Sequence, residues 1–318
     1  MGTLYIDRKD IRISLDGNAI AFYSGGKKDG IVPINPLKRV VIVGNVTIET
    51  SVIQRLADKK ISVVFLSGKR MRFCGMLNGH LHNNAALRIA QYDKSHRDFA
   101  LLIAKDIVIR KISKQKNLLE HMGMEKPQLR LKFNGSVNTL IGILKKLQEQ
   151  NVDMNTLRGL EGAAGAAYFS AYTEMFSPSL EFNRRTKRPP TDPVNALLSL
   201  CYTLVHFEIL REIEMIGLDP MIGFYHQFDY GRESLACDLV EPYRPDVDRF
   251  VYEIFKKREF TPEDFATDNE RPGCYLKKTS RQRFYQFYED WAKVLRPLWE
   301  EEVKSLAREI MDGKDIIS

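Results

Sequence analysis

The sequence predicts an α+β chain, with a small N-terminal β-rich domain over residues 1–85 and a larger all-α domain over residues 86–318. Three observations predict it. The chain has 318 residues, beyond the size at which a single hydrophobic core usually keeps growing, so two domains are expected. Apolar residues recur at every second position from Thr3 to about Leu77, and at spacings of three and four from Asn84 onward. The 44% apolar and 28% charged composition is that of a globular chain and excludes a disordered one.

In the first part, Ile11, Ile13 and Leu15 alternate with polar residues. Asp16 and Gly17 then supply a hairpin-turn signal before Ala19 to Tyr23. Apolar runs at Val40 to Val43 and Ile61 to Leu66 predict strands on either side of a short helix around Val52 to Ala57, and Arg70 to Leu77 predicts one more strand. The texture changes after Gly79. Asn84 to Arg110 carries alanines, leucines and charges at helical spacing, which places the domain boundary near residues 80–90.

The clearest helix begins at Asp192 and Pro193. Aspartate there can accept from free amides, and the proline nitrogen would have had no helical partner anyway. Val194, Leu197, Leu198, Cys201, Leu204, Val205, Ile209, Ile213 and Ile216 continue it at helical spacing, and Gly217 with Pro220 ends it.

No run of about eighteen apolar residues predicts a membrane span, and Met1 to Asp10 lacks the continuous hydrophobic segment of a signal peptide. A soluble cytoplasmic protein is expected. Cys74, Cys201, Cys237 and Cys274 form no CxxC pair, so reduced thiols are expected and a zinc site of that kind is not. A net charge of +7 favours a polyanionic partner, because neutralising phosphates releases counterions. No aromatic strand motif or GXXG clamp supports an RNA-binding module.

Four segments carry candidate chemistry. Glu161 stands at the edge of a run of alanines and glycines on a predicted helix. On spacing alone the ordinary reading is a solvated charge beside a packing seam, and the alternative is a carboxylate projecting into a tight site. His226 follows the long helix in a loop, where functional side chains concentrate, although a lone histidine is more often structural. In the segment Ser234 to Arg244, Ser234 can cap a helix, and Asp238 and Glu241 lie three residues apart on one helical face. Two like charges at that spacing call for a cation, either a divalent metal or Arg244. Glu161, His226 and Glu241 together would offer two oxygens and one imidazole nitrogen, a set suited to magnesium or manganese. Arg184, Arg185, Lys187 and Arg188 form a cationic run stiffened by two prolines; such runs are usually solvated, and they can also hold a phosphate backbone.

These segments, in this order and spacing across almost the whole chain, resemble the first CRISPR-associated protein family, the spacer-acquisition integrases. Thr3 to Ile6 and Ser14 to Asn18 add to the likeness. The resemblance implies that Glu161, His226 and Glu241 bind Mg2+ or Mn2+, with Asp238 as an acidic helper in catalysis. Arg184, Arg185, Lys187, Arg188 and Arg244 are expected to contact DNA. The N-terminal domain is expected to serve dimerisation and DNA contact, and the C-terminal domain metal-dependent catalysis.

The implied reaction is phosphoryl transfer, in which the 3′-hydroxyl ends of short DNA segments are joined to a CRISPR repeat. The implied partners are double-stranded DNA, a second copy of the chain, and a small second CRISPR-associated protein bridging two dimers. Two rival readings remain at this point: a metal-dependent repair or recombination nuclease that needs no such partner, and a non-catalytic DNA-binding scaffold.

Overall fold

The computed structural model describes residues 2–68, 71–79, 82–186, 189–226, 230–267 and 273–312. Strands dominate the N-terminal part and helices the rest, the α+β arrangement that the change of period predicts.

Strands β1 (Thr3–Ile6), β2 (Ile11–Asp16), β3 (Ala19–Ser24), β4 (Lys27–Pro33), β5 (Arg39–Val43) and β6 (Thr47–Ile48) precede helix α1 (Thr50–Asp58), and β7 (Ser62–Leu66) and β8 (Phe73–Leu77) follow it. They form two four-stranded sheets, ordered β4-β3-β2-β6 and β1-β5-β7-β8. The β2–β3 hairpin closes with Asp16 opposite Ala19, and Gly17 takes the left-handed conformation (φ +59°) that this two-residue turn requires. In the second sheet β1, β5 and β7 run parallel, while β8 is antiparallel to β7.

All five residues of β5 are buried, as expected for a parallel strand covered on both faces. Val40 and Ile42 face a core with Val52 and Leu56 of α1, whereas Val41 and Val43 join the main helical core. The sheet therefore belongs to both halves of the molecule.

The helical part comprises α2 (Ala85–Ser95), α3 (Asp98–Glu125), α4 (Arg130–Glu149), α5 (Met154–Thr173), α6 (Pro193–Ile216), α7 (Ser234–Val240), α8 (Arg244–Lys256) and α9 (Lys278–Met311). The stretch from Asn84 to Arg110 divides into two helices. Asn84 caps α2 through Oδ1, which accepts from the Leu87 amide at 3.1 Å, and His96 and Arg97 interrupt the run before α3. At α6, Asp192 Oδ1 accepts from the Asn195 amide at 2.8 Å, and Gly217 closes the helix in the left-handed region.

Three expectations need correction. The helical part is not purely α, because β9 (Phe265–Thr267) and β10 (Cys274–Leu276) form an antiparallel pair. Ser234 is the first residue of α7, and Glu233 occupies the capping position. Finally, α6 is long and apolar enough to cross a bilayer by length and composition, yet most of it is buried within the protein as its central helix.

Candidate metal centre

Helices from distant parts of the chain bring the site together. Glu161 lies about two turns into α5, whose Ala164, Tyr168, Ala171 and Tyr172 face the core. Helix α3 packs alongside with Ile107, Val108, Lys111, Ile112 and Gln115 buried, so a lysine stands in the middle of an apolar stripe. Glu241 follows α7 directly, in a 3-10 turn (Glu241–Tyr243) that joins α7 to α8.

The Lys111 ammonium donates to Glu161 Oε1 and, at 2.7 Å, to Glu241 Oε2. Two carboxylates from distant parts of the chain thus converge on one positive charge. Arg244 Nε donates to the other oxygen of Glu241, Oε1, at 2.8 Å, and its guanidinium lies 4.6 Å from the centre of the Tyr202 ring. Burial by itself would raise the Glu241 carboxyl; Arg244 and Lys111 outweigh it and hold the group well below the usual carboxylate range. Burial would likewise lower the Lys111 ammonium, and Glu241 and Glu161 reverse that and raise it.

His226 enters on the loop after α6. Its ring Nδ1 sits 2.7 Å from Asp238 Oδ1, and its Nε2 lies 4.0 Å from Glu241 Oε1. With Nδ1 engaged by the Asp238 carboxylate, Nε2 is the ring nitrogen left facing Glu241. Asp238 is fully buried and also accepts from the amides of Phe224 (2.5 Å), Tyr225 (2.9 Å) and His226 (2.8 Å). One carboxylate therefore fixes both the loop and the imidazole. Gly223 permits the close approach, since a Cβ there would stand 2.7 Å from Asp238 Oδ2.

The structure thus brings Glu161 and Glu241 together at Lys111, with the His226 ring beside Glu241 and Asp238 on the far side of that ring. The donor set would be two carboxylates, hard ligands that fit Mg2+ or Mn2+, and one imidazole nitrogen, a borderline ligand; the carboxylates already surround a cation. Among the described residues, no three His, Cys, Asp or Glu side chains form a ready coordination group; the Lys111 ammonium lies where two of them meet.

The basic residues are placed differently from one another. Arg184 is exposed. Arg185 is turned inward, where its guanidinium donates to Thr186 O (2.5 Å), Asn195 Oδ1 (2.7 Å) and Ser199 Oγ (3.2 Å). Arg244 is held by Glu241 and Tyr202, and Lys187 and Arg188 lie outside the described residues.

The family model for CRISPR associated protein Cas1 matches residues 4–290. The chain belongs to the Cas1 family. The CRISPR-associated endonuclease Cas1 1 of Thermodesulfovibrio yellowstonii is 54% identical over 318 residues, covering 100% of both chains. The CRISPR-associated endonuclease Cas1 2 of Rhodospirillum rubrum is 32% identical over 316 residues, covering 92% of this chain and 91% of its own. Among solved structures, a Cas1 protein from Thermotoga maritima matches with a TM-score of 0.85 at 23% identity, covering 100% of this chain and 99% of the other. A casposase bound to integration product matches with a TM-score of 0.85 at 20% identity, covering 100% and 93%. At these identities both structures speak to the Cas1 fold alone.

Sequence reasoning missed Lys111, Tyr225 and Asp248. Lys111 carried a readable signal, a charge on the apolar stripe of α3. Tyr225 lies beside the centre, and its phenol is pushed up by burial and by Glu161 and Glu241. Asp248 of α8 is fully buried and accepts from the Tyr168 hydroxyl at 2.9 Å and from the hydroxyl of Tyr202, the ring over which Arg244 lies.

Proposed function

We propose that this chain is a metal-dependent DNA endonuclease and integrase of CRISPR adaptation, joining 3′-hydroxyl ends of short DNA segments to a repeat by phosphoryl transfer. The observation that carries the reading is the convergence of Glu161 and Glu241 on one cation, with the Nε2 of His226 4.0 Å from the other oxygen of Glu241. Family membership and the endonuclease name of the 54% identical relative support it.

Glu161, Glu241 and His226 Nε2 are the residues that would hold Mg2+ or Mn2+. The bound ion would supply Lewis-acid polarisation of the scissile phosphate. Asp238 keeps the His226 proton on Nδ1 and so keeps Nε2 available. Arg244 fixes the orientation of Glu241. Arg184, Lys187 and Arg188 grip the phosphate backbone and position DNA without reading its sequence, on a loop that Arg185 fastens to α6. Attack by water gives cleavage and attack by a 3′-hydroxyl gives joining, in the same geometry. A second copy of the chain and a small second CRISPR-associated protein complete the assembly. One solved match, the Cas6-RT-Cas1–Cas2 complex, carries that pairing in its name, and this chain covers 35% of that polypeptide.

The test is a strand-transfer assay on a repeat-bearing plasmid, with Mg2+ or Mn2+ varied and the small partner added or withheld. Glu161→Ala, His226→Ala and Glu241→Ala are expected to abolish cutting and joining while circular dichroism and most DNA binding persist. Wild-type turnover in any one of them would remove the metal site. Joining that is indifferent to the partner would favour a repair nuclease, and metal-free binding without strand transfer would favour a scaffold.

A further inference from the structure

Lys111 is the feature of the centre that a metal-binding site does not require. Its side chain is only 10% exposed, and it donates to one oxygen of each of two carboxylates. Without a positive charge between them, Glu161 and Glu241 would repel each other across a short gap. A divalent ion that takes Glu161 Oε1 and Glu241 Oε2 enters the same gap, and two cations a few ångströms apart in a poorly solvated site repel strongly.

The two neighbouring cations are not equally free to give way. Arg244 approaches Glu241 from the opposite oxygen, is seated over the Tyr202 ring, and has a planar head that holds its orientation. Lys111 is a point charge on a four-carbon stem. Glu161, at 24% side-chain exposure, opens the lysine side of the site to solvent, whereas Glu241 is at 7%.

We propose that Lys111 is the resident cation of this centre, holding Glu161 and Glu241 together before a divalent ion binds and leaving them when it does. Metal affinity is then the outcome of an exchange of one cation for another. The proposal rests on the reading of Glu161, His226 and Glu241 as metal ligands, and its test separates the two.

The experiment measures Mn2+ binding to the full chain, by the loss of the free-ion electron paramagnetic resonance signal, and melting temperature with and without Mn2+. Lys111→Met removes the charge and keeps the length of the stem. It is expected to bind Mn2+ about tenfold or more tightly than wild type, to melt lower in chelator, and to gain more from Mn2+. Lys111→Arg keeps the charge, so it is expected to bind Mn2+ no more tightly than wild type; it also keeps the proposal testable if the methionine variant fails to fold in chelator. Wild-type or weaker Mn2+ affinity in Lys111→Met overturns the exchange, as does Lys111→Arg binding more tightly than wild type. If Glu161→Gln and Glu241→Gln lose Mn2+ while Lys111→Met matches wild type, the exchange alone fails. Wild-type binding in Glu161→Gln and Glu241→Gln would overturn the metal site itself.

Discussion

At the scale of single residues, the centre depends on buried charges whose partners are all accounted for. Asp238 accepts from three backbone amides and from His226, so its two oxygens serve as acceptors only. Asparagine would place an amide group against one set of these donors. Asp238→Asn is therefore expected to destabilise the fold by roughly 3 kcal/mol as well as to loosen His226, and chemical denaturation of the variant checks the first effect. A wild-type midpoint would show that the cradle tolerates a donor.

Asp248 offers a pH signature of the opposite sign to most carboxylates. Burial pushes its carboxyl up to about 6 from an ordinary value of 3.8, against the pull of the Tyr202 and Tyr168 hydroxyls and of Arg185 and Arg244. Between those two values the folded state holds a proton that the unfolded chain has released, so stability falls as pH rises through the window. The loss attributable to this group is at most roughly 3 kcal/mol. Asp248→Asn, which stays neutral, is expected to flatten that part of the curve. Parallel stability–pH curves for variant and wild type would refute the assignment.

Among the elements, the loop leading into α6 carries the residues proposed to hold DNA. Arg185 is tied to Asn195 and Ser199 and so fastens the loop to the helix, which leaves Arg184, Lys187 and Arg188 for phosphate. Replacing those three with alanine is expected to weaken duplex binding and to shrink the slope of log affinity against log salt by roughly 0.9 for each phosphate no longer neutralised. Titrations at several salt concentrations decide it, and an unchanged slope in a folded variant would make the run ordinary surface charge.

How much of each element is legible in the sequence follows how local its signals are. Helix α6 is readable because Asp192, Pro193, the apolar spacing and Gly217 all lie within one segment. The exposed β4 leaves no such trace, since Lys27 to Asp29 offer no alternation to follow. The positions of Glu161, His226, Asp238 and Glu241 can be named from motif order, whereas the meeting of Glu161 and Glu241 at Lys111 cannot. Its partners lie 50 and 130 positions away, and only the packing of α3 against α5 and the turn after α7 joins them.

In the molecule as a whole, the β-rich part is welded to the helices by buried charge. Glu208 of α6 meets Arg39 of β5 at 2.6 Å and Arg296 of α9 at 2.7 Å, and Arg296 also reaches Glu289 at 2.7 Å. Removing Glu208 would leave two arginines facing each other in a poorly solvated seam. Glu208→Ala is expected to cost about 3–5 kcal/mol. Because β5 contributes to both cores, calorimetry is expected to show one lowered transition; two separated transitions would mean that the halves melt independently.

The same weld has a consequence for the order in which the protein is made. The Tyr5 hydroxyl donates to Glu289 at 2.8 Å across 284 positions of chain, and Arg281 reaches Asp7 across 274. At roughly 5–20 residues per second, about 15–60 s of translation separate the first strand from the helix that fastens it. During that interval Tyr5 and Asp7 have no partner in α9, and the part of the sheet that later meets α9 is open to chaperones and to other nascent chains. Glu161, Lys111, His226 and Glu241 have all left the ribosome before then. Emergence of α9, later than any residue of the acidic centre, is the event that closes the seam with the first strand.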